Sequence, residues 1–233
     1  MIVYFRNDDV DKLTPELINL ISVFVKEQVP LNLEIIPGRI GIGSTLINNL
    51  KKVIVKNSDY LEIHQHGFNH FEYESYNEFP ESRDSLCVEK DIKIGKELLE
   101  KKFGGFFYPV FTPPWHQVGT KHIPILKKMG FKAISAGFNL KYDLLDLSVH
   151  SDLSTFDKKL NKSRFATVQE LIEKYNNFKK NTTKVGFYMH HRFFTTKESL
   201  EPIRDFLKYL KRENVKIVKF SDVLNENRFC NTS

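Results

Sequence analysis

Near the start of the 233-residue chain, the apolar run Ile2–Phe5 gives way to Arg6-Asn7 and then to two adjacent acids, Asp8-Asp9. A second polar cluster, His64-Gln65-His66-Gly67-Phe68-Asn69-His70, closes another apolar stretch. A third, Thr112-Pro113-Pro114-Trp115-His116, and a fourth, His190-His191, do the same further along. Two imidazoles and one carboxylate form a donor set suited to a catalytic divalent ion, with positions left open for water and substrate. His66 and His70 are four residues apart, so a helical turn places both rings on one side, and Gly67 permits a sharp exit from a strand. An isolated pair at this spacing is more often a surface or hydrogen-bonded structural pair, and Asp8-Asp9 alone reads equally well as an Asp-rich turn ahead of a helix, since Asp11 and Thr14 follow. A di-acid at a neighbouring strand end, beside the histidine pair, favours metal binding.

Other chemistries fit less well. Glycoside hydrolysis needs two carboxyl groups about 5–9.5 Å apart, flanking the bond, and adjacent aspartates are poor candidates. No GxSxG turn is present, and neither Cys87 nor Cys230 has the surroundings of a nucleophile. His64 lies two residues before His66 and so faces the same way on a strand; it either lines the site or packs as a hydrogen-bonded core histidine. His191 is the alternative to His190. His116 and His150 read as loop or strand-end residues of no special role. Trp115 and Tyr73 are candidates to stack on a sugar ring, and Trp115 equally packs beside the prolines.

Side chains this far apart in sequence meet only if the chain returns repeatedly to one end of a layered fold. Eight strands are expected, at Ile2–Arg6, Leu31–Ile36, Tyr60–His66, Phe106–Thr112, Phe131–Ser135, Leu144–Val149, Val185–His190 and Val215–Phe220. Helical patterns fill the gaps. Thr14-Pro15-Glu16 is a helix start, Ser44, Thr120 and Thr167 begin others, Gly130 ends one, and Ser199–Arg212 is amphipathic. Alternation of this kind implies α/β architecture with a parallel sheet, and seven or eight units favour a closed (β/α) barrel whose active site lies at the C-terminal strand ends. All four polar clusters fall at such ends. The longest irregular stretch, Phe71–Ser82, follows the histidine cluster and is a candidate loop over the site.

Composition sets the class. The chain is 41% hydrophobic with 20 phenylalanines, enough for the core of a single domain spanning residues 1–233, and no run approaches the length of a membrane span. Net charge is +6, but the Lys and Arg residues are scattered among acids, so no nucleic-acid partner is expected. Residues 1–5 read as a strand rather than a signal peptide, which makes a cytoplasmic location the expectation, with Cys87 and Cys230 as free thiols.

Taken together, Asp8-Asp9, His66-Gly67-Phe68-Asn69-His70, Thr112-Pro113-Pro114-Trp115 and Tyr188-Met189-His190 resemble the motifs of the polysaccharide deacetylases, the NodB-homology or carbohydrate esterase family 4 enzymes. The order and spacing of four motifs carry the likeness, which runs from the first strand to the seventh. Phe5-Arg6-Asn7-Asp8-Asp9-Val10 is similar to a divergent branch associated with bacterial surface-polysaccharide clusters such as those for lipopolysaccharide O-antigen. The resemblance implies a distorted (β/α) barrel with seven or eight strands and a metal, usually zinc (Zn2+). It implies that Asp9, His66 and His70 are metal ligands, Asp8 the catalytic base and His190 the general acid, with Thr112, Pro114, Trp115, His64 and His191 as accessory or substrate-side candidates. The substrate class is an N-acyl amino sugar, saccharide or other small polar compound.

The chain departs from that family in three places. Val10 stands where a glycine usually follows the di-acid. Thr112 stands where an arginine usually orients the base, leaving Arg6 or Arg192 to do so. The usual Asp-Trp motif is missing, with the region Asp143–Asp152 as the place for a substitute. The expected mechanism is attack by a metal-activated water on an amide carbonyl, with Asp8 taking the proton, a backbone N–H near Thr112–Trp115 helping to hold the oxyanion and His190 protonating the amine. Two other readings remain: a hydrolase of the same barrel acting on a non-carbohydrate C–N bond, and a non-catalytic sugar- or metal-binding member.

Overall fold

In a computed structural model the described residues are 1–40, 45–137, 142–157 and 162–230. The main elements are β1 (Ile2–Val10), α1 (Pro15–Lys26), β2 (Leu31–Ile35), α2 (Thr45–Lys56), β3 (Leu61–His66), α3 (Ser85–Phe103), β4 (Phe107–Thr112), α4 (Ile123–Lys128), β5 (Ala133–Ile134) and β6 (Leu145–Asp146). They continue with β7 (Ser151–Asp152), β8 (Ser154–Asp157), β9 (Lys162–Phe165), α5 (Val168–Phe178), β10 (Lys184–His190), α6 (Glu201–Arg212), β11 (Lys216–Ile217) and α7 (Phe220–Cys230).

The main sheet runs β6-β5-β4-β3-β2-β1-β10-β7, with β11 added beside the start of β1, and each of these pairings is parallel. Its two ends belong to one short stretch of chain. Leu147 N donates to Ile134 O and Val149 N to Ala136 O, whereas His150 N donates to Gly186 O and Leu153 N to Tyr188 O. The segment Leu145–Leu153 thus pairs first with β5 and then with β10, and the curled sheet becomes a distorted barrel.

Each of the eight expected strands occurs. β1 runs four residues beyond the expected end, because β10 pairs with it as far as Asp8 and β2 pairs with Val10. β5, β6 and β11 are two-residue remnants of longer apolar runs. The β8–β9 antiparallel hairpin was not expected: Ser154-Thr155-Phe156-Asp157 and Lys162-Ser163-Arg164-Phe165 lack apolar alternation. Helix starts follow local chemistry. The Thr14 side chain accepts from Leu17 N at 3.2 Å, with Pro15 in the first turn, and Thr167 forms a reciprocal capping box with Glu170. Thr120 opens a single 3-10 turn without a side-chain cap, and α4 proper starts at Ile123. Ser44 lies outside the described residues.

Strand alternation sorts the core into two layers. Val3 and Phe5 face the helices; the Phe5 ring meets Phe24 of α1 at 5.4 Å, Phe187 at 5.6 Å and Phe206 of α6 at 6.2 Å. Tyr4 belongs to a separate cluster with Val110, Ala133, Leu147 and Phe220. Above it the interior is polar: His64 is fully buried between Glu34, 3.1 Å from Nδ1, and Glu62, 2.6 Å from Nε2. Burial alone pulls the imidazole pKa down, but the two carboxylates, Glu34 foremost, outweigh it and raise the value to about 9. Cys87 is a free, exposed thiol. Among the described residues no helix is long and apolar enough to cross a membrane.

Candidate metal centre and active-site cleft

Arg6 and Asp8 are two apart on β1, so their side chains leave the strand on one face, and Asp8 lies opposite His190 in the β1–β10 register. Ideal alternation would send Asp9 the other way. Instead the β1–β2 register shifts between Asn7 and Val10, and Asp9 takes φ 60°, a left-handed conformation rare for a non-glycine residue. This irregularity aims both acids at one place. Asn7 keeps its outward direction, where its Oδ1 accepts from His191 N at 2.8 Å and its Nδ2 meets His191 Nδ1 at 3.1 Å. His191 is thereby tied to the far side of the strand, while His190 borders the cleft.

His66 ends β3, and the chain turns at once through Gly67, with φ 53°, to His70, with φ 55°. A Cβ on Gly67 would collide with Glu78 Oε2 and sit 2.6 Å from Pro114 Cγ, so only glycine fits. The turn is gripped from both sides. The fully buried Glu78 carboxylate accepts from Phe68 N at 3.2 Å and Asn69 N at 2.7 Å. Gly38 N donates to Phe68 O at 2.7 Å, and Arg39 donates to Asn69 O at 2.8 Å and His70 O at 3.1 Å. Burial raises the Glu78 pKa, against the lowering effect of those N–H bonds and of His66 and His70.

Asp9, His66 and His70 converge. Asp9 Oδ1 is 3.2 Å from His66 Nε2 and 3.0 Å from His70 Nε2, and the three donor atoms lie within 4.8 Å of one another. Donors around a tetrahedral ion with bonds near 2.0 Å are about 3.3 Å apart, so the set fits a small divalent ion. His66 Nδ1 lies 3.1 Å from Thr112 O. A carbonyl only accepts, so Nδ1 carries the proton there and the Nε2 lone pair is left for an ion to use, as behind a ligating histidine.

Beside this cage runs a buried polar chain. Arg6 holds Asp8 with two bonds, Nε to Oδ1 at 2.7 Å and Nη2 to Oδ2 at 2.8 Å. Its Nη1 donates to Ser135 O at 2.6 Å and to Ser135 Oγ at 2.8 Å, and Nη2 also meets His116 Nδ1 at 2.8 Å. Burial pushes the Asp8 carboxyl up, but Arg6, then His66, His190 and His116, pull it below the ordinary aspartate value. Asp8 is therefore ionised at neutral pH. Arg192 Nη1 is 3.0 Å from Asp9 Oδ2, and His190 Nε2 is 3.8 Å from the same oxygen. The buried His190 Nδ1 has no hydrogen-bond partner among the described residues. Asp152 borders the cleft, yet its Oδ1 accepts from Ser154 N at 2.7 Å.

A cleft of about 650 Å³ opens over the cage. Asp8, Asp9, His66, His70, His116 and His190 lie in its lining, and Tyr76, Trp115, Phe165, Tyr188 and Phe193 give it aromatic walls. Of the accessory candidates, Trp115 lies in the cleft, its ring 4.3 Å from that of His70. Thr112 and Pro114 are buried behind it, Thr112 as the carbonyl partner of His66 and Pro114 against Gly67. His64 is sealed in the barrel core, away from the cleft. Tyr73 stacks under Arg83, 3.8 Å from the guanidinium. Three participants carried no adequate sequence signal: Glu78, Arg39 and His116. Each acts through backbone conformation or a long-range contact that spacing does not encode. For Glu78 one hint existed, an acid inside the irregular Phe71–Ser82 segment next to the histidine cluster.

No protein-family model matches the chain, and no curated protein matches it in sequence. Solved structures do match in fold. One is a Mycobacterium smegmatis protein named as a candidate polysaccharide deacetylase, at 16% identity and TM-score 0.74, covering 99% of this chain and 91% of the other. Another is a family 4 acetyl xylan esterase from Clostridium thermocellum in complex with a cobalt ion, at 13% identity and TM-score 0.63, covering 97% and 91%. A third is a family 4 pseudoenzyme from Bacillus anthracis, at 14% identity and TM-score 0.62, covering 96% of this chain and 65% of that one. The shared property is the fold of family 4 carbohydrate esterases, a distorted (β/α) barrel.

Proposed function

We propose that the protein is a metal-dependent hydrolase that removes an N-acyl group, acetyl in the simplest case, from an amino sugar or saccharide. The observation that carries this reading is the meeting of an Asp-His-His cage with an ionised Asp8 and with His190 on the neighbouring strand. Metal retention alone requires neither Asp8 nor His190. An ion held by Asp9, His66 and His70, with zinc the best fit to this donor set, supplies Lewis acidity and brings the pKa of a water at the site towards neutrality.

The chain's own groups do the rest. Asp8, kept ionised and oriented by Arg6, takes a proton from the attacking water as its oxygen bonds to the acyl carbon. His190 delivers a proton to the nitrogen as the C–N bond breaks, which lets the amine leave. Net, one water and one amide become a carboxylic acid and an amine. The aromatic walls suit the apolar faces of a sugar ring, and the polar floor suits its hydroxyls, which favours a carbohydrate over an apolar amide. The unpartnered Nδ1 of His190 favours one rival, a non-catalytic member, because an acid of this kind usually has its other nitrogen held.

Elemental analysis of purified protein separates these readings first. A near-stoichiometric divalent ion, lost in His66→Ala and His70→Ala, is expected. Release of acetate from N-acetylated amino sugars should then fall by about 10²–10⁴-fold in Asp8→Asn and His190→Ala, with metal retained. Metal-loaded protein that releases no acetate from any acetylated saccharide points to the binding protein instead.

A further inference from the structure

His116 attracted no role from sequence, yet it is held on every side but one. It follows Trp115, and both residues are left-handed, with φ 51° and 62°. Consecutive non-glycine residues in that region are strained and persist only where surrounding contacts enforce them. Here the His116 amide donates to Pro113 O at 3.0 Å and its carbonyl accepts from Gly137 N at 3.2 Å. The ring packs edge-on against Tyr188, with centroids 4.5 Å apart, and Nδ1 meets Arg6 Nη2 at 2.8 Å.

That last contact settles the tautomer. A guanidinium has donors only and stays charged. Nδ1 must therefore accept, and the ring proton resides on Nε2. A second proton on the ring would set N–H against N–H beside a buried cation, and burial together with Arg6 holds the imidazole pKa down, to about 3. Asp8, which shares the same guanidinium nitrogen, does not reverse this. Nε2 has no hydrogen-bond partner among the described residues, and the ring borders the cleft next to Asp8.

We propose that His116 touches the substrate, its uncharged imidazole donating Nε2–H to the acyl oxygen on the side of the cleft that holds Asp8. This rests on the hydrolase reading above and adds a fixed donor to it. As charge builds on that oxygen, a preset N–H is worth more than one that must reorient. A neutral donor also leaves Asp8 its negative charge, which an imidazolium so close by would neutralise.

Nitrogen-15 NMR of the imidazoles tests the first half on metal-free protein. The His116 resonances should report Nε2–H and a bare Nδ1, unchanged between pH 5 and 8, and sodium acetate, as a product probe, should shift the Nε2–H signal. The second half is read with His116→Asn, whose Oδ1 still accepts from Arg6 but which places no donor at the Nε2 position. The variant should keep wild-type metal content, lose about 10²-fold in kcat and weaken acetate about three- to tenfold. His116→Gln, which can restore a donor there, should recover part of both. An Nδ1–H or charged ring at pH 7, or wild-type acetate affinity in His116→Asn, overturns the proposal. A wild type without metal or turnover instead removes the hydrolase reading. The tautomer and its response to acetate are still measured on that protein, so the two failures are distinct.

Discussion

Arg6 stands two residues before Asp8, and strand alternation alone brings the guanidinium to the carboxylate without any bend in the chain. It also bonds Ser135 and His116, so one fully buried side chain links β1 to the chain after β5 and to the proline turn. A lysine carries the charge but not the planar fork. Arg6→Lys should therefore lower kcat about 10–100-fold while metal content, measured by elemental analysis, stays near wild type; loss of metal along with activity would mean that Arg6 shapes the cage itself. At this scale much was legible. Asp8, Asp9, His66, His70 and His190 were each marked by type and by position at a strand end. Arg6 was one of two choices for orienting the base, and geometry separates them: Arg6 pairs with Asp8, Arg192 with Asp9. His190 and His191 could not be separated by type, only by strand parity and by the outward Asn7 that holds His191.

Among the elements, the turn from His66 to His70 depends on neighbours remote in sequence. Its N–H groups end on Glu78 and its carbonyls on Gly38 and Arg39. Glu78→Gln keeps the shape but puts an amide donor where one N–H now points. His70 then loses part of its fixed direction, and metal affinity should weaken by about 10–100-fold in a chelator competition. An unchanged metal Kd would show that the turn holds itself. The strands of the barrel were readable because buried parallel strands write themselves as apolar runs. The β8–β9 hairpin was not, because its two strands pair with each other outside the main sheet and carry no apolar alternation. Its contacts are mixed: Arg164 pairs with Glu170 at the start of α5, Lys174 donates to Ser154 O, and the Phe165 ring stacks on that of Phe194 at 5.0 Å.

For the molecule as a whole, repeated strand–helix alternation predicts a barrel, but closure is a property of a single stretch, Leu145–Leu153, which changes partners midway. An apolar run at Leu144–Val149 announces a strand and says nothing of the exchange. The buried charges of the interior were also hidden, since a His flanked by polar residues reads equally as site or core. His64 proves to be core, and it joins two otherwise like-charged carboxylates inside the barrel. His64→Leu should cost about 3–5 kcal/mol, because it strands Glu34 and Glu62 together without their cation; urea unfolding measures it, and a loss below about 1 kcal/mol would mean that one carboxyl is protonated or reached by water.

The cage and the walls of the cleft are built from different parts of the chain. Asp8, Asp9, His66 and His190 sit on the barrel strands or their immediate ends, whereas Ser154, Arg164, Phe165 and Tyr76 come from the hairpin and from the loop before α3. The hairpin is tied down by the Arg164–Glu170 pair, by Lys174 on Ser154 O and by Phe165 on Phe194. Descendants of such a chain can lengthen, shorten or recolour the hairpin while inheriting the Asp-His-His cluster, so the walls of the cleft and its floor are free to evolve on separate clocks.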